Sequence, residues 1–212
     1  MTSNPKSTLI EERLNAYSHA LGVAISIIGF VLIFQQDMTG VPFLYGSILI
    51  YSSSLVFLFS ASTIYHAVQN PKLKKKLRIL DHIGIYYLIA GTYTPVCLTI
   101  LLGSKGWLLF YCVWGIAFLG TFLKLFFTGK FEVFSLVLYG LMGWLVVIDY
   151  PFLVQNITLK GLSYLALGGA FYTIGILFYA IKRIPYNHLI WHIFVLGGAI
   201  SHWVLIFSEI ID

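Results

Sequence analysis

The residues best suited to chemistry are two histidines near the C-terminus, His188 and His192, in the stretch HLIWHIFVLGGAISH. They are four residues apart, so on a helix their imidazoles lie one above the other on the same face. Two imidazoles at this spacing can hold one metal ion, as the histidines of the HExxH motif do. The glutamate of that motif is absent here. A third ligand and any acid or base must therefore come from another part of the chain.

The composition indicates that these histidines lie inside a membrane. Of the 212 residues, 59% are hydrophobic and 10% are charged, and the mean hydropathy is +0.89. Soluble domains contain about 25% charged and about 45–50% apolar residues. Because this chain has too little polar surface to cover a globule in water, we predict an all-α integral membrane protein.

Seven apolar segments follow a polar tail of residues 1–16, which is expected to approach the membrane as a short helix. Each is close to the roughly 20 residues that cross a bilayer. The segments are 17–35, 42–68, 79–102, 106–127, 132–150, 159–181 and 187–211. The fifth ends at Asp149-Tyr150-Pro151, which predicts an interfacial turn. Since the connections are short, we predict a seven-transmembrane-helix bundle forming one domain, residues 17–212.

The distribution of basic residues predicts how the bundle is oriented. Lys105 and Lys160 fall on one side of the predicted membrane, and the other eleven of the 13 Lys and Arg fall on the opposite side. Basic loops are favoured in the cytoplasm. The chain is therefore expected in the cell membrane with its N-terminus inside and its C-terminus outside. The densest basic run, residues 71–78, is interpreted as a cytoplasmic loop that touches anionic headgroups, and nucleic acid is not an expected partner.

Ionisable residues within membrane helices are costly and are candidates for function. Ser62 and His66 lie four residues apart at the end of the second segment, and Asp81 lies at the start of the third. In the predicted topology the second segment ends at the cytoplasmic side, where the third and seventh begin. We therefore expect His66, Asp81 and the two histidines of the seventh segment at a similar depth.

Three neutral imidazoles with an open fourth position are typical of catalytic zinc, although other divalent metals also bind imidazole. Zinc lowers the pKa of a bound water to about 7. Asp81 could take and return a proton of that water, and Ser62 could hydrogen-bond the water or a substrate carbonyl. The alternative is that these groups only join helices by hydrogen bonds. His202 lies about 21 Å along the helix from His188, too far to bind the same metal. It could line the outer half of the same interior cavity or hydrogen-bond to another helix, and the second is favoured.

Other polar residues near the membrane have less definite roles. His19 and His82 are weaker candidates for the site than the three histidines. Glu11, Glu12 and Asn15 precede the first apolar segment. They could cap its helix or close the cytoplasmic mouth of the bundle, and the sequence leaves both open.

The chain resembles the hemolysin III family, the bacterial branch of the progestin and adipoQ receptor superfamily, which includes the adiponectin receptors. The resemblance covers essentially the whole chain. The matching elements are residues 11–22 (EERLNAYSHALG), Ser62-xxx-His66, Asp81-His82, Gly91-Thr92-Tyr93-Thr94-Pro95, and His188-xxx-His192 with His202. It implies a seven-helix bundle with an inside N-terminus and zinc held at His66, His188 and His192.

In the adiponectin receptors and the similar alkaline ceramidases, the equivalents of Ser62 and Asp81 lie beside the zinc, and those proteins are associated with hydrolysis of ceramide-type amides. The resemblance therefore favours a zinc-dependent hydrolase of a lipid amide or ester that affects membrane lipid homeostasis. Membrane lipids are its expected partners, and the short tail offers no large domain for a protein ligand. Two alternatives remain: a membrane-damaging cytolysin that forms pores, and a membrane-state sensor or receptor in which zinc is structural.

Overall fold

A computed structural model describes the backbone of residues 5–211 and the side chains of residues 9–211. Every regular element in this part of the chain is helical. The helices are α1 Pro5–Phe34, α2 Leu44–Ala67, α3 Pro71–Leu98, α4 Gly106–Phe127, α5 Glu132–Trp144, α6 Tyr150–Asn156, α7 Leu159–Ala180 and α8 Asn187–Ile206. A 3₁₀ segment, Leu145–Asp149, joins α5 to α6, and a π-helical turn, Phe207–Ile211, continues α8.

Six helical stretches within the described residues are long and apolar enough to cross a membrane. They are Leu9–Phe34, Leu44–Ala67, Gly106–Phe127, Glu132–Asn156, Leu159–Ala180 and Asn187–Ile211. The chain is thus an all-helical, multi-pass membrane protein. The remaining long helix, α3, does not reach that apolarity, because it carries the basic run, Asp81 and several hydroxyl groups. It packs against α2, α4, α5 and α8, so its polar groups are largely enclosed by other helices.

The helices pack mainly against their neighbours in the sequence, and their buried apolar side chains form two clusters. One cluster joins α1, α2 and α8 through residues such as Tyr51, Phe59 and Trp191. The other joins α3, α4 and α5 through residues such as Tyr86 and Val113. At the α7–α8 contact, Gly168 faces the ring of His202 and Gly198 faces that of Tyr172. These glycines allow the two helices to approach closely, as is common in membranes.

The basic run at residues 71–78, predicted as a loop, forms the first two turns of α3 instead. Asn70 caps the helix, and its side-chain oxygen accepts hydrogen bonds from Lys72 N at 3.0 Å and Leu73 N at 3.1 Å. Pro71 occupies the first helical position, where its missing N–H costs no hydrogen bond. The end of α2 and the starts of α3 and α8 meet at one end of the bundle, which we call the basic end.

The predicted turn at residues 149–151 is also wrong in detail, because the chain stays helical to Asn156. Regular α-helix ends earlier, at Trp144, and the 3₁₀ segment follows. The Tyr93 hydroxyl of α3 accepts a hydrogen bond from Val146 N at 2.9 Å and donates one to Gly143 O at 3.0 Å. Pro151 then lies at the start of α6, where proline is tolerated.

Helix α1 begins well before the first predicted apolar segment and runs without a break into it. Residues 5–16 of the predicted tail are therefore helical, while residues 1–4 of that tail lie outside the described residues. The division into a tail of 1–16 and a domain of 17–212 stays a prediction. The continuous helix matters for the site, because it carries Glu12, Asn15 and His19 on one face.

Candidate metal centre

The histidines of α2 and α8 meet at the basic end of the bundle. His66 lies in the last turn of α2, and His188 and His192 lie in the first two turns of α8. Each offers one ring nitrogen, and the three nitrogens lie within 4.8 Å of one another. The Nε2 atoms of His66 and His188 are 3.2 Å apart. His66 and His192 are buried, and His188 is partly buried.

The hydrogen bonds of two of these rings determine which nitrogen is free. His66 Nδ1 lies 3.0 Å from the Glu12 carboxylate, and His192 Nδ1 lies 3.2 Å from the Asn15 carbonyl oxygen. Because both partners are acceptors, both Nδ1 atoms carry the proton and donate it. The Nε2 atoms then keep their lone pairs. Both rings are therefore in the tautomer that leaves Nε2 available as a ligand.

The donor set fits a small divalent cation such as zinc. Zinc bound to imidazole has Zn–N distances of about 2.0–2.1 Å, which in a tetrahedral site separates two ligand nitrogens by about 3.3 Å. The spacing of 3.2 Å between His66 Nε2 and His188 Nε2 matches this value, and all three nitrogens lie within 4.8 Å of one another. Three imidazoles without a thiolate are a ligand set that leaves a fourth position for water or substrate.

Asp81 and Ser62, the predicted catalytic residues, are both buried near the three rings. Asp81 is 7% exposed and Ser62 is fully enclosed. Asp81 lines a small cavity together with His188 and His192. The Ser62 hydroxyl lies near the Asp81 carboxyl but has no hydrogen-bond partner in good geometry among the described residues. Ser62 itself is not one of the residues that line the small cavity.

His19, a weak candidate in the sequence, lies directly against the cluster. Its ring stacks on that of His192, with centroids 3.6 Å apart and planes at 8°, and meets Phe59 edge-on. Both of its ring nitrogens are buried without a hydrogen-bond partner within the described part of the chain. The signal that could have found it is the helical register: His19 is four residues after Asn15 and seven after Glu12, on one face.

Two further residues belong to the site: Glu12, for which the sequence left a helix cap and closure of the cytoplasmic mouth open, and Ser18, which the sequence did not single out. Glu12 Oε2 is 3.0 Å from His66 Nδ1 and 2.6 Å from Lys74 Nζ. Ser18 Oγ donates to Asn15 O at 2.8 Å and lies 3.1 Å from His192 Nδ1. The third and fourth turns of α1 thus hold the rings of His66 and His192 in the tautomer that leaves Nε2 free.

The two remaining histidines have other surroundings. His82 Nδ1 lies 3.9 Å from Glu132, which is also paired with Lys124 at 3.2 Å. His202 lies farther along α8, with Nε2 at 3.4 Å from the Leu165 carbonyl oxygen of α7. Its interhelical contact agrees with the role in helix packing that the sequence favoured.

A larger, mainly apolar cavity extends from the site between α3, α5, α7 and α8. Its volume, measured as the space open to the centres of water-sized molecules, is about 70 Å³. Leu58, Ile85, Trp191 and Val195 line both this cavity and the smaller one beside Asp81. Thr92 and His202 are among the few polar residues on its wall. The two cavities are therefore adjacent and share part of their apolar wall.

Comparison with known proteins is consistent with the motifs. The family model described as Haemolysin-III related matches residues 7–203. The chain is 40% identical over 190 residues to Hemolysin-3 of Bacillus cereus, covering 89% of this chain and 87% of that protein. It is 41% identical over 194 residues to the Hemolysin-3 homolog of Bacillus subtilis (strain 168), covering 91% of each.

A human protein is also similar along nearly the whole chain. Monocyte to macrophage differentiation factor of Homo sapiens is 30% identical over 218 aligned positions, covering 96% of this chain and 86% of that protein. The resemblance drawn from the motifs is thereby confirmed. The chain belongs to the haemolysin III family, within the progestin and adipoQ receptor superfamily.

Proposed function

We propose that this protein is a zinc-dependent membrane hydrolase that cleaves a lipid amide or ester. The observation that carries the proposal is the meeting of three imidazole nitrogens within 4.8 Å of one another, beside a cavity lined by a buried carboxyl group. Ionisable groups inside a membrane are energetically costly, so those that occur there are candidates for a function. A cluster that only joined helices would have no need of three imidazoles converging on one point.

In this proposal His66, His188 and His192 hold the ion. A zinc ion in such a site supplies Lewis acidity, which polarises a carbonyl group and makes water more acidic. Asp81 accepts a proton from the attacking water and returns it to the leaving group, as general acid–base catalysts do. The Ser62 hydroxyl orients that water or the substrate carbonyl by a hydrogen bond.

Membrane lipid is the proposed substrate class because of the cavity next to the site. The wall of this cavity is mainly apolar, and four of its lining residues also line the smaller cavity beside Asp81. An acyl chain would lose contact with the bilayer at little cost on entering such a cavity. Its amide or ester group would then lie near the metal centre.

We further propose that all seven long helices cross the bilayer, with the N-terminus in the cytoplasm and the C-terminus outside. The support is the excess of Lys and Arg at the basic end, opposed by Lys105 and Lys160 at the other. Helix α3 is the least apolar of the seven, but its polar residues Asp81, His82 and Thr94 are buried against other helices. In this orientation the metal centre lies near the cytoplasmic side.

Metal content tests the proposal directly. Detergent-purified wild type is expected to contain about one zinc ion per chain by elemental analysis, because a single three-imidazole cluster is proposed. His66→Ala and the double variant His188→Ala/His192→Ala are expected to lose it. His202→Ala, on the same helix but outside the cluster, is the matched control and should keep its zinc. If purified wild type contains no metal, both the proposed metal site and the proposed hydrolase activity are ruled out.

The names of the two bacterial relatives favour a second candidate, membrane damage. Purified protein added to liposomes would then release dye in proportion to its dose, and His188→Ala would release as much if the metal were irrelevant. Chelation of the metal distinguishes the hydrolase from a third candidate, a sensor in which zinc is structural. In such a sensor, removing the zinc would unfold the bundle. In the hydrolase, chelation stops the reaction and leaves the helices folded.

A further inference from the structure

The third and fourth turns of α1 reach the candidate metal centre through two contacts with the proposed ligand histidines. Glu12 accepts a hydrogen bond from His66 Nδ1 at 3.0 Å, and the Asn15 carbonyl accepts one from His192 Nδ1 at 3.2 Å. We propose that Glu12 is a positioning residue of the metal centre, whose carboxylate fixes the orientation and tautomer of His66 so that Nε2 faces the ion. This inference rests on the proposed metal site.

The carboxylate has the position that such a role requires. A histidine ligand usually donates its second N–H to a carboxylate or carbonyl oxygen, which fixes the ring and makes the ligating nitrogen more basic. The His66 side chain is 3% exposed, so water is poorly placed to serve as that acceptor. Without Glu12, the ring could rotate or take the other tautomer, and Nε2 would no longer be presented reliably.

Lys74 holds Glu12 in place from the start of α3. Its ammonium group lies 2.6 Å from the same oxygen, Glu12 Oε2, and also donates to the Tyr65 carbonyl oxygen at 3.2 Å. Three helices therefore meet at one carboxylate. A partly exposed ion pair contributes little by itself. Removing Lys74 should therefore weaken zinc binding less than removing Glu12, which also contacts His66.

The test is the zinc affinity of the full chain in lipid nanodiscs, measured by competition with a fluorescent chelator. Glu12→Ala is expected to bind zinc about 10–100-fold more weakly, the usual effect of removing such a partner. Glu12→Gln keeps a carbonyl acceptor for His66 and should lose less. Lys74→Met should lose less than about fivefold, because an exposed ion pair is weak. Glu11→Gln is the matched control and should bind as wild type does.

Thermal unfolding of the metal-free variants separates positioning from simple stability. If Glu12→Gln unfolds at the wild-type temperature yet binds zinc more weakly, the effect lies in the site. The inference is overturned if both Glu12 variants bind zinc as tightly as wild type, or if Lys74→Met weakens binding by the same factor as Glu12→Ala. Zinc binding absent in wild type would overturn the proposed metal site and this inference together.

Discussion

The polar residues around the three imidazoles differ in what they are free to do. Asn15 and Ser18 are already engaged with His192, and Glu12 is engaged with His66. Asp81 instead lines the cavity. Of the nearby acidic groups in the described residues, Asp81 is therefore the one best placed to exchange protons with a molecule in that cavity.

Replacing Asp81 by Asn tests that role. Asp81→Asn is expected to keep its zinc, because no carboxyl oxygen belongs to the three-nitrogen cluster, while turnover of the lipid substrate falls by about 10²–10⁴-fold with the loss of the acid–base group. Metal analysis and product release would be measured on the same preparation. Asp37→Asn, on the exposed loop after α1, is the control, and undiminished turnover in Asp81→Asn would remove that residue from the mechanism.

At the scale of elements, the site depends on where four helices end or begin. The last turn of α2 and the first turns of α8 carry the proposed ligands, α3 carries Asp81, and α1 supports the imidazoles from the side. Helix α3 also organises the far part of the bundle, since Tyr93 bonds the backbone where α5 gives way to the 3₁₀ segment. Helix α3 therefore contributes Asp81 to the wall of the smaller cavity and Tyr93 to the wall of the larger one.

The Tyr93 hydroxyl is expected to stabilise that break. Tyr93→Phe removes the acceptor of Val146 N and should lower the free energy of unfolding by about 1–3 kcal/mol, because a partly buried N–H is left without a partner. The change would be measured by reversible unfolding in mixed micelles. Tyr87→Phe, which removes the hydroxyl of a partly buried tyrosine on the same helix, serves as control. Equal stability of the Tyr93 variant and wild type would show that water replaces the bond.

For the whole molecule, charge distinguishes the two ends of the bundle. The basic end contains Arg78 and Lys124, both paired with Glu132, as well as the candidate metal centre. At the opposite end, Glu209 accepts hydrogen bonds from Thr158 N at 2.7 Å and Thr158 Oγ1 at 2.6 Å, which fixes the start of α7. The proposed orientation places the first of these ends in the cytoplasm.

Cysteine labelling in intact cells tests the orientation. In a background of Cys97→Ala/Cys112→Ala, a cysteine at position 160 is expected to react with a membrane-impermeant maleimide. A cysteine at position 75 should react only after the cells are permeabilised, because basic loops stay inside. Both positions are exposed in the fold, so accessibility is decided by the membrane. The reverse pattern would invert the proposed topology.

The sequence by itself was sufficient for the membrane class, the family and most helix positions. The thickness of the bilayer requires a membrane helix to have about 20 apolar residues, so such helices can be identified without knowledge of the fold. Likewise, the shared face of His188 and His192 follows from helix geometry alone. The residues that the structure brings to one point were also predicted together, from topology and from the family motifs.

Only the tertiary structure decided how those helices meet. The 3.2 Å approach of His66 to His188, the stacking of His19 on His192 and the bond from Glu12 to His66 depend on the rotation and axial offset of separate helices. Those offsets are set by the packing of side chains from many elements at once. Local periodicity describes one helix at a time. It therefore finds the face on which a residue lies, but not its partner across the bundle.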